Sequence, residues 1–224
     1  MADKEYDKIF LPHLIVCEGL DAKLFIQYFF QPLIKQNPLF DLFQAIEPGG
    51  NEDIKKLIKA LPSLPNFNDI LKSIIIVRDA ENNSKGANQS VQAILRNAGF
   101  AAPESPCVVA FPTERMYHVK VGYALFPVFN STEVNGTLED LCMQTLANPN
   151  KDAILDIADS AVELYQEQFG RFKRPHKNRL HTYLSLSDNF VGLKIGESAN
   201  ANAFDFAAHT YKPLVDLMTA MLED

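Results

Sequence analysis

The chain has 224 residues, of which 47% are hydrophobic, and carries a net charge of −7. This hydrophobic fraction excludes a disordered protein and provides enough apolar surface for the core of one elaborated domain. The acidic balance excludes a general nucleic-acid coat, because non-specific affinity for the phosphate backbone comes from lysine and arginine. The same composition is compatible with a nuclease that has a local cluster of basic residues.

The cysteines and the amino terminus indicate the compartment. Cys17, Cys107 and Cys142 are widely spaced and form no CxxC pair, so the sequence predicts neither a disulfide framework nor a zinc site. Residues 1–8 are charged and lack the apolar core of a signal peptide. No run approaches the roughly 20 apolar residues of a membrane span. We therefore expect a cytoplasmic protein without a membrane partner.

Strands and helices alternate through the first half of the chain. Four successive apolar residues, 74–77, are typical of a strand buried on both faces of a parallel sheet. The alternation predicts an α/β fold, with a mainly parallel sheet, helices on both faces and right-handed crossovers. The predicted elements are strand 13–17, helix 22–35, strand 40–46, a helix capped by Asn51 and running to Leu61, loop 62–68, strand 73–77, helix 88–97 ending at Gly99, and strands 107–111 and 117–129.

The pattern becomes mainly helical after Thr137. Apolar periodicity predicts helices over 138–146, 153–169, about 177–186, and 209–222. We therefore divide the chain into an α/β core, residues 1–130, and a helical carboxyl-terminal extension, residues 131–224. The extension is expected to pack on the core as one compact unit.

Two pairs of acids follow two of the predicted strands. Glu18 and Asp21 come after the first strand, and Asp79 and Glu81 after the strand that begins at Ser73. Ligands of open parallel sheets bind beyond the carboxyl ends of the strands. If the backbone stays extended, the i, i+2 spacing of Asp79 and Glu81 points both side chains the same way. The acids therefore predict a Mg²⁺ or Mn²⁺ site suited to phosphoryl transfer.

Acids after a strand also serve as turn residues or helix caps. For Asp21, capping of the following helix weighs as much as metal binding. Glu18 is the stronger candidate, because it precedes Gly19, where the backbone can approach a ligand closely. Gly49 and Gly50 precede a predicted helix, where backbone amides could hold a phosphate, although from these residues alone a tight turn is the preferred interpretation.

The order of these motifs resembles the Toprim domain of topoisomerases, primases and OLD-type nucleases. The residues that carry the resemblance are Glu18-Gly19, Gly49-Gly50 and Asp79-Ala80-Glu81. It implies a Toprim-like, Rossmann-like fold with Glu18, Asp79 and Glu81 holding magnesium. The chain departs from the pattern at Glu81, where the family has aspartate.

The chain is also similar to a family of small, uncharacterised bacterial Toprim-like proteins. That similarity is carried by residues 16–21, Gly136 to Leu141, and Lys177 to Leu186. By analogy with OLD-type nucleases, Glu139 and Asp140 would hold a second ion, and Lys177 would steady charge in the transition state. The alternative for Glu139 and Asp140 is a place in the first turn of a helix, where carboxylates complement the helix dipole.

A basic run between residues 171 and 181 is a candidate for nucleic-acid contact. Arg171, Arg174, Lys177 and Arg179 could follow a phosphate backbone, although such a run is often a solvated helix face. The leading hypothesis is a magnesium-dependent nuclease acting on DNA or RNA. The second is a Toprim subunit that works with a separate ATPase, because OLD-type nucleases carry an ATPase domain and this sequence has no Walker motif.

Overall fold

The computed structural model describes residues 9–65, 67–114 and 116–223. Within these ranges the sheet has four strands in the order β2-β1-β3-β4, and all neighbouring strands are parallel. The strands are β1 (His13–Cys17), β2 (Phe43–Ile46), β3 (Ser73–Asp79) and β4 (Lys120–Phe126). The predicted charged amino terminus, residues 1–8, lies outside the described residues.

Helices surround the sheet and make up most of the second half of the chain. The α-helices of the described residues are α1 (Leu20–Gln36), α2 (Asn51–Ala60), α3 (Phe67–Ile70), α4 (Ser84–Asn97), α5 (Leu138–Gln144), α6 (Lys151–Phe169), α7 (Pro175–Ser185), α8 (Ile195–Asn200) and α9 (Lys212–Leu222). Short 3-10 turns occupy Pro38–Leu42, Leu61–Ser63 and His209–Tyr211. None of the helices described combines the length and the apolar character that crossing a bilayer requires.

The sheet separates two hydrophobic layers. Ile75 and Val77 of β3 pack with α1, α5 and α9, whereas Ile74 and Ile76 pack with α2 and α4. Successive side chains of a strand point to opposite faces, so a strand covered on both sides is apolar at every position. The predicted α/β, Rossmann-like fold with a mostly helical carboxyl-terminal part is confirmed.

The carboxyl-terminal helices pack directly on the sheet layer. Phe29 of α1 lies 5.0 Å, between ring centroids, from Tyr211, which precedes α9. Gly122 of β4 faces α9, and a Cβ added there would come within 2.8 Å of Leu217 and within 2.7 Å of Met221. A glycine at this strand position therefore lets α9 approach the sheet closely. The division into units at residue 130 stays a prediction.

Four of the predicted strands differ from the structure, and β3 does so only by extending two residues further, to Asp79. The strand predicted over 107–111 is wrong: the segment forms one isolated antiparallel bridge, from Ala110 to Val121. Cys107 has a φ of 59°, in the left-handed region, which interrupts an extended chain at the start of the run. The predicted strand 40–46 starts only at Phe43, because the residues before it form a 3-10 turn. The strand predicted over 117–129 is shortened to Lys120–Phe126.

Candidate active site

Glu18 and Asp79 lie at the carboxyl edge of the two central strands. Cys17 pairs with Val77 in the parallel register, and the Glu18 backbone N–H donates to the Val77 carbonyl at 3.1 Å. Strand alternation then separates the two side chains. Glu18 continues the face of Val16, towards α2 and α4, whereas Asp79 continues the face of Val77, towards α5. The two acids share an edge of the sheet but leave it on opposite faces.

Glu18 is paired with a buried cation. Arg78 Nε lies 3.2 Å from Glu18 Oε2, and the Arg78 side chain is 8% exposed. Within the described structure neither of these two atoms has a hydrogen-bond partner, so their contact is an ion pair without hydrogen-bond alignment. Burial raises the pKa of Glu18, the Arg78 charge lowers it, and the Glu81 charge raises it. The nearby backbone N–H groups of Asp79 and Asn51 also lower this pKa.

The amino-terminal end of α2 lies next to Glu18. The helix begins at Asn51 with Gly50 as its N-cap residue, so the predicted capping role of Asn51 is wrong. The Asn51 side chain instead accepts a 2.8 Å hydrogen bond from Arg78 Nη1. Gly49 has a φ of 122°, and a Cβ there would come within 2.6 Å of Asp53 Oδ2. The glycine pair thus makes a tight turn directly before α2.

Asp79 connects the sheet to the carboxyl-terminal half of the chain. Its Oδ1 accepts a 2.8 Å hydrogen bond from the backbone N–H of Leu138, the first residue of α5. Burial raises the pKa of Asp79 to about 7, against the lowering effect of the Leu138 bond. The charges of Glu139, Glu18 and Glu81 also contribute to this raised value. A carboxyl group with this pKa is well placed to gain or lose a proton near neutral pH.

Glu81 does not continue the strand. Its φ is 54°, and its backbone N–H and carbonyl each form a 2.8 Å hydrogen bond with Gly136. The extended backbone assumed in the i, i+2 prediction therefore ends at Asp79, and that premise is wrong. Glu81 and Asp79 nevertheless line the same cavity. What brings them together is the turn fixed by Gly136, and not the pleat of a strand.

This cavity has a volume of about 370 Å³ and lies between the sheet edge and the start of α7. Its walls carry opposite charges. The acidic wall consists of Asp79, Glu81 and Glu139, and the basic wall consists of Lys173, Arg174, His176 and Lys177. We call it the bipolar cavity. Asn82, Thr137 and Pro175 complete its lining.

The first turn of α5 joins the two walls. Glu139, whose side chain is 4% exposed, lies 3.1 Å from Lys177 Nζ through its Oε1. Asp140 Oδ1 lies 3.0 Å from His176 Nδ1, while its Oδ2 accepts a 2.8 Å hydrogen bond from the Thr137 backbone N–H. Both acids therefore occupy the helix-terminal position that was one of their two predicted roles. Glu139 in addition lines the bipolar cavity.

Several predicted site residues lie elsewhere. Asp21 falls in the first turn of α1, whose N-cap residue is Gly19, so its predicted capping role is wrong. Asp21 is not among the residues that line the bipolar cavity. In the basic run, Arg174 and Lys177 line the cavity and Arg171 is exposed beside it in sequence. Arg179 is engaged by Asp159 of α6, with Nη2 donating to Oδ2 at 2.6 Å.

The donor chemistry suits magnesium, but the donors are dispersed. Carboxylate oxygens are the hard ligands that Mg²⁺ prefers. In the parts of the chain that the structure describes, however, no three His, Cys, Asp or Glu side chains are grouped so that they could hold an ion. Arg78 and Lys177 instead provide the positive charges next to Glu18 and Glu139. In this arrangement the protein's own cations neutralise the acidic cluster.

Two contacts of the candidate site were not predicted from the sequence, that of Arg78 with Glu18 and that of His176 with Asp140. Arg78 carried a usable signal, because it is a charged residue at the end of an otherwise apolar buried strand. The contact of His176 with Asp140 carried none, since it joins residues 36 positions apart in sequence. Histidine spacing along the chain does not reveal such a contact.

Comparison with known proteins identifies the family. The model of one protein family matches residues 12–223, nearly the whole chain. No curated protein and no solved structure shows significant similarity to it. Because the match covers far more than half of its length, the chain belongs to the family described as protein of unknown function (DUF3226).

Proposed function

We propose that this protein is a magnesium-dependent phosphoryl-transfer protein, most specifically a nuclease acting on DNA or RNA. The observation that supports this proposal is the bipolar cavity at the carboxyl edge of the sheet. A phosphodiester carries negative charge, which the basic wall attracts. A divalent cation is attracted by the acidic wall. The two walls together suit a substrate phosphate bound beside a metal ion.

Two features of the acids favour a cation. Burial and neighbouring carboxylates raise the pKa of Asp79 to about 7, so an added positive charge would stabilise its ionised form. Glu18 Oε2 is buried without a hydrogen bond and has only its ion-pair contact with Arg78, so a bound cation would compete with Arg78 for this atom. In the proposal Asp79 and Glu81 hold one Mg²⁺ or Mn²⁺ in the cavity. Glu18, which lies at the same sheet edge but outside the cavity lining, joins them when the ion takes the place of Arg78, and Glu139 and Asp140 contribute to a second ion. Bound there, the ion would neutralise phosphate charge and activate a water molecule.

The protein's own groups would position the substrate. Lys173 and Arg174 are exposed on the basic wall and form no ion pair among the residues described, so they are available to phosphate oxygens. Lys177 faces the same cavity through its pair with Glu139. A substrate phosphate would compete with Glu139 for this ammonium group. In the proposal Lys177 is the cation that contacts the reacting phosphate beside the acidic wall.

Metal binding and cleavage can be tested separately. Mn²⁺ binding to the full chain is measured by electron paramagnetic resonance, and cleavage is measured on plasmid DNA, single-stranded DNA and RNA. We expect Glu18→Ala and Asp79→Asn to weaken Mn²⁺ binding and to abolish cleavage. Glu104→Gln removes an exposed carboxylate outside the site and serves as the matched control. Equal Mn²⁺ binding and equal cleavage by wild type and Glu18→Ala would reject the metal role.

A second candidate function is a subunit whose activity depends on an ATPase partner. It is favoured by the pairing of Glu18 with Arg78 and of Glu139 with Lys177, since these contacts hold the acids apart. A partner that shifts α7 would separate Lys177 from Glu139. We expect pull-down of an ATPase and nuclease activity only in its presence. Strong nuclease activity of the isolated chain would speak against this candidate.

A further inference from the structure

Helix α6 has two apolar faces, of which only one is covered by the protein. The covered face contains Ala158, which is fully buried, and the partly buried Ile154 and Leu155. On the opposite side Ile157 and Leu164 are 58% and 55% exposed. Together with the exposed Ala153 and Ala161 they form an apolar stripe at i, i+4, i+8 and i+11. Helices that pack on a single neighbour do not require such a second stripe.

An acidic stripe flanks the exposed apolar one. Asp152, Asp156, Asp159, Glu163 and Glu167 recur at spacings of three and four, so they lie on one side of the helix. Asp159 is paired with Arg179, while the other four are exposed and form no ion pair with any residue that the structure describes. We call the exposed apolar stripe and these four acids the outer face of α6. It combines solvated apolar area with uncompensated negative charge.

The charge of the outer face restricts what can cover it. Helices that lie on membranes carry lysine and arginine on their polar side, whereas an acidic side is repelled by anionic lipid. Helix α6 of a second copy is also a poor complement. Each α6 contains five acids and the single lysine Lys151, so two paired helices would leave most of their negative charge uncompensated. The complement of this surface is a helix with apolar residues beside a basic stripe.

We propose that the outer face of α6 is a docking surface for a basic amphipathic helix of another protein. The 19 residues of α6 present about 28 Å of helix, enough for a partner helix of several turns. The apolar stripes would pack against each other, and lysine or arginine of the partner would pair with Asp156 and Glu163. This interaction involves neither the bipolar cavity nor a metal, so it can be tested independently of the proposed nuclease activity.

A synthetic peptide tests the chemistry of the surface directly. The probe is a fluorescein-labelled amphipathic helix of leucine and lysine, as long as α6, and its binding to the full chain is followed by fluorescence anisotropy. A second peptide with glutamate in place of every lysine is the matched control. We expect the lysine peptide to bind, with affinity falling as salt rises, and the glutamate peptide not to bind. Absence of binding by the lysine peptide would overturn the proposal.

Paired variants locate the binding to α6. Asp156→Lys/Glu163→Lys should weaken binding of the lysine peptide by roughly tenfold or more, because each substitution replaces an attraction with a repulsion. The control Asp41→Lys/Glu104→Lys makes the same change of net charge at exposed positions outside α6 and should have a much smaller effect. An equal effect in both variants would mean attraction to net charge alone and would reject the docking surface.

The apolar stripe has its own control. Ile157→Ser/Leu164→Ser should weaken binding, whereas Phe10→Ser/Leu39→Ser, at similarly exposed apolar positions, should not. Circular dichroism verifies that each variant is folded. Sedimentation of the wild type should show a monomer. A dimer that Ile157→Ser/Leu164→Ser dissociates would overturn the proposal in favour of self-association.

Discussion

The carboxylate of Asp79 and the backbone of Leu138 are joined by a 2.8 Å hydrogen bond across 59 positions of sequence. Asp79 ends a central strand, and Leu138 begins α5, so this bond attaches the first helix after the sheet to the edge where the acids collect. It satisfies one of the backbone N–H groups that a helix leaves unpaired at its amino terminus. The same carboxyl group serves the fold and belongs to the proposed site.

The pKa of Asp79 leads to a prediction about pH. In the folded protein this pKa is raised to about 7 from an ordinary value of 3.8. Between these values the folded protein holds a proton that the unfolded chain has released, so the contribution of Asp79 to the free energy of unfolding falls as pH rises from about 4 to about 7. The variant Asp79→Asn tests this prediction, because it keeps a hydrogen-bond acceptor for Leu138 but cannot ionise.

We expect Asp79→Asn to be more stable than wild type at pH 8, by about 1 to 3 kcal/mol, and equally stable near pH 4. Urea denaturation across this range measures the difference, and one that does not change with pH would contradict the assignment.

The pair of Glu139 and Lys177 should be strongly coupled. Lys177→Met would leave Glu139 buried in the first turn of α5 without its cation, and we expect the free energy of unfolding to fall by about 2 to 3 kcal/mol. The double variant Glu139→Gln/Lys177→Met removes the uncompensated charge and should recover most of that loss. Thermal and urea unfolding of the two single variants and the double variant complete a double-mutant cycle. Purely additive effects would show that the two side chains do not stabilise each other.

Gly136 and Gly170 offer a matched pair of substitutions. Both have positive φ, 139° and 92°, but a Cβ at Gly136 would come within 2.7 Å of Asp140 Oδ2 and 3.0 Å of Pro127, whereas a Cβ at Gly170 meets no atom within 4 Å. Gly170→Ala should therefore cost only the backbone strain, about 1 to 3 kcal/mol. Gly136→Ala should cost more, because it also displaces Asp140 and the turn bonded to Glu81. If calorimetry finds equal losses of stability, the packing around Gly136 does not matter.

The basic wall predicts which cations contact nucleic acid. Lys173→Ala/Arg174→Ala removes two exposed charges and should reduce affinity for DNA or RNA, with the slope of log affinity against log salt falling by about 2. Arg179→Ala removes a guanidinium that is already bound to Asp159, so it should leave the slope unchanged. Filter binding over a range of salt concentrations provides the measurement. A larger effect from Arg179 than from Lys173 and Arg174 would place the nucleic-acid contact elsewhere.

Local pattern was sufficient for much of the fold. β1 is predicted at its observed bounds and β3 to within two residues, because their apolar runs report burial on both faces of a sheet. The strand predicted at 107–111 fails because of the left-handed backbone at Cys107, which no periodicity encodes. Glu81 also has a left-handed backbone that no periodicity encodes, so the structure has a turn where an extended chain was predicted.

The candidate site was predicted less completely than the fold. Strand order brings Glu18 and Asp79 to one edge, as the sequence predicts, since parallel strands end together. What the sequence could not show is how each acid is held. Arg78 binds Glu18, and Lys177 binds Glu139, through contacts between segments that only the folded chain brings together. Predictions from local sequence describe the ends of elements better than the partners that those ends meet.

The Glu81–Gly136 hydrogen bonds have a consequence for protein synthesis. They close a loop between segments 55 positions apart, and the basic wall of the cavity is supplied later still, by residues 173–177. A nascent chain that has just emerged through β4 already carries Glu18, Asp79 and Glu81, but it has neither the turn that fixes Glu81 nor the basic wall of the cavity. The cavity can therefore assemble only when translation is well advanced, so an incomplete polypeptide would lack the proposed active site.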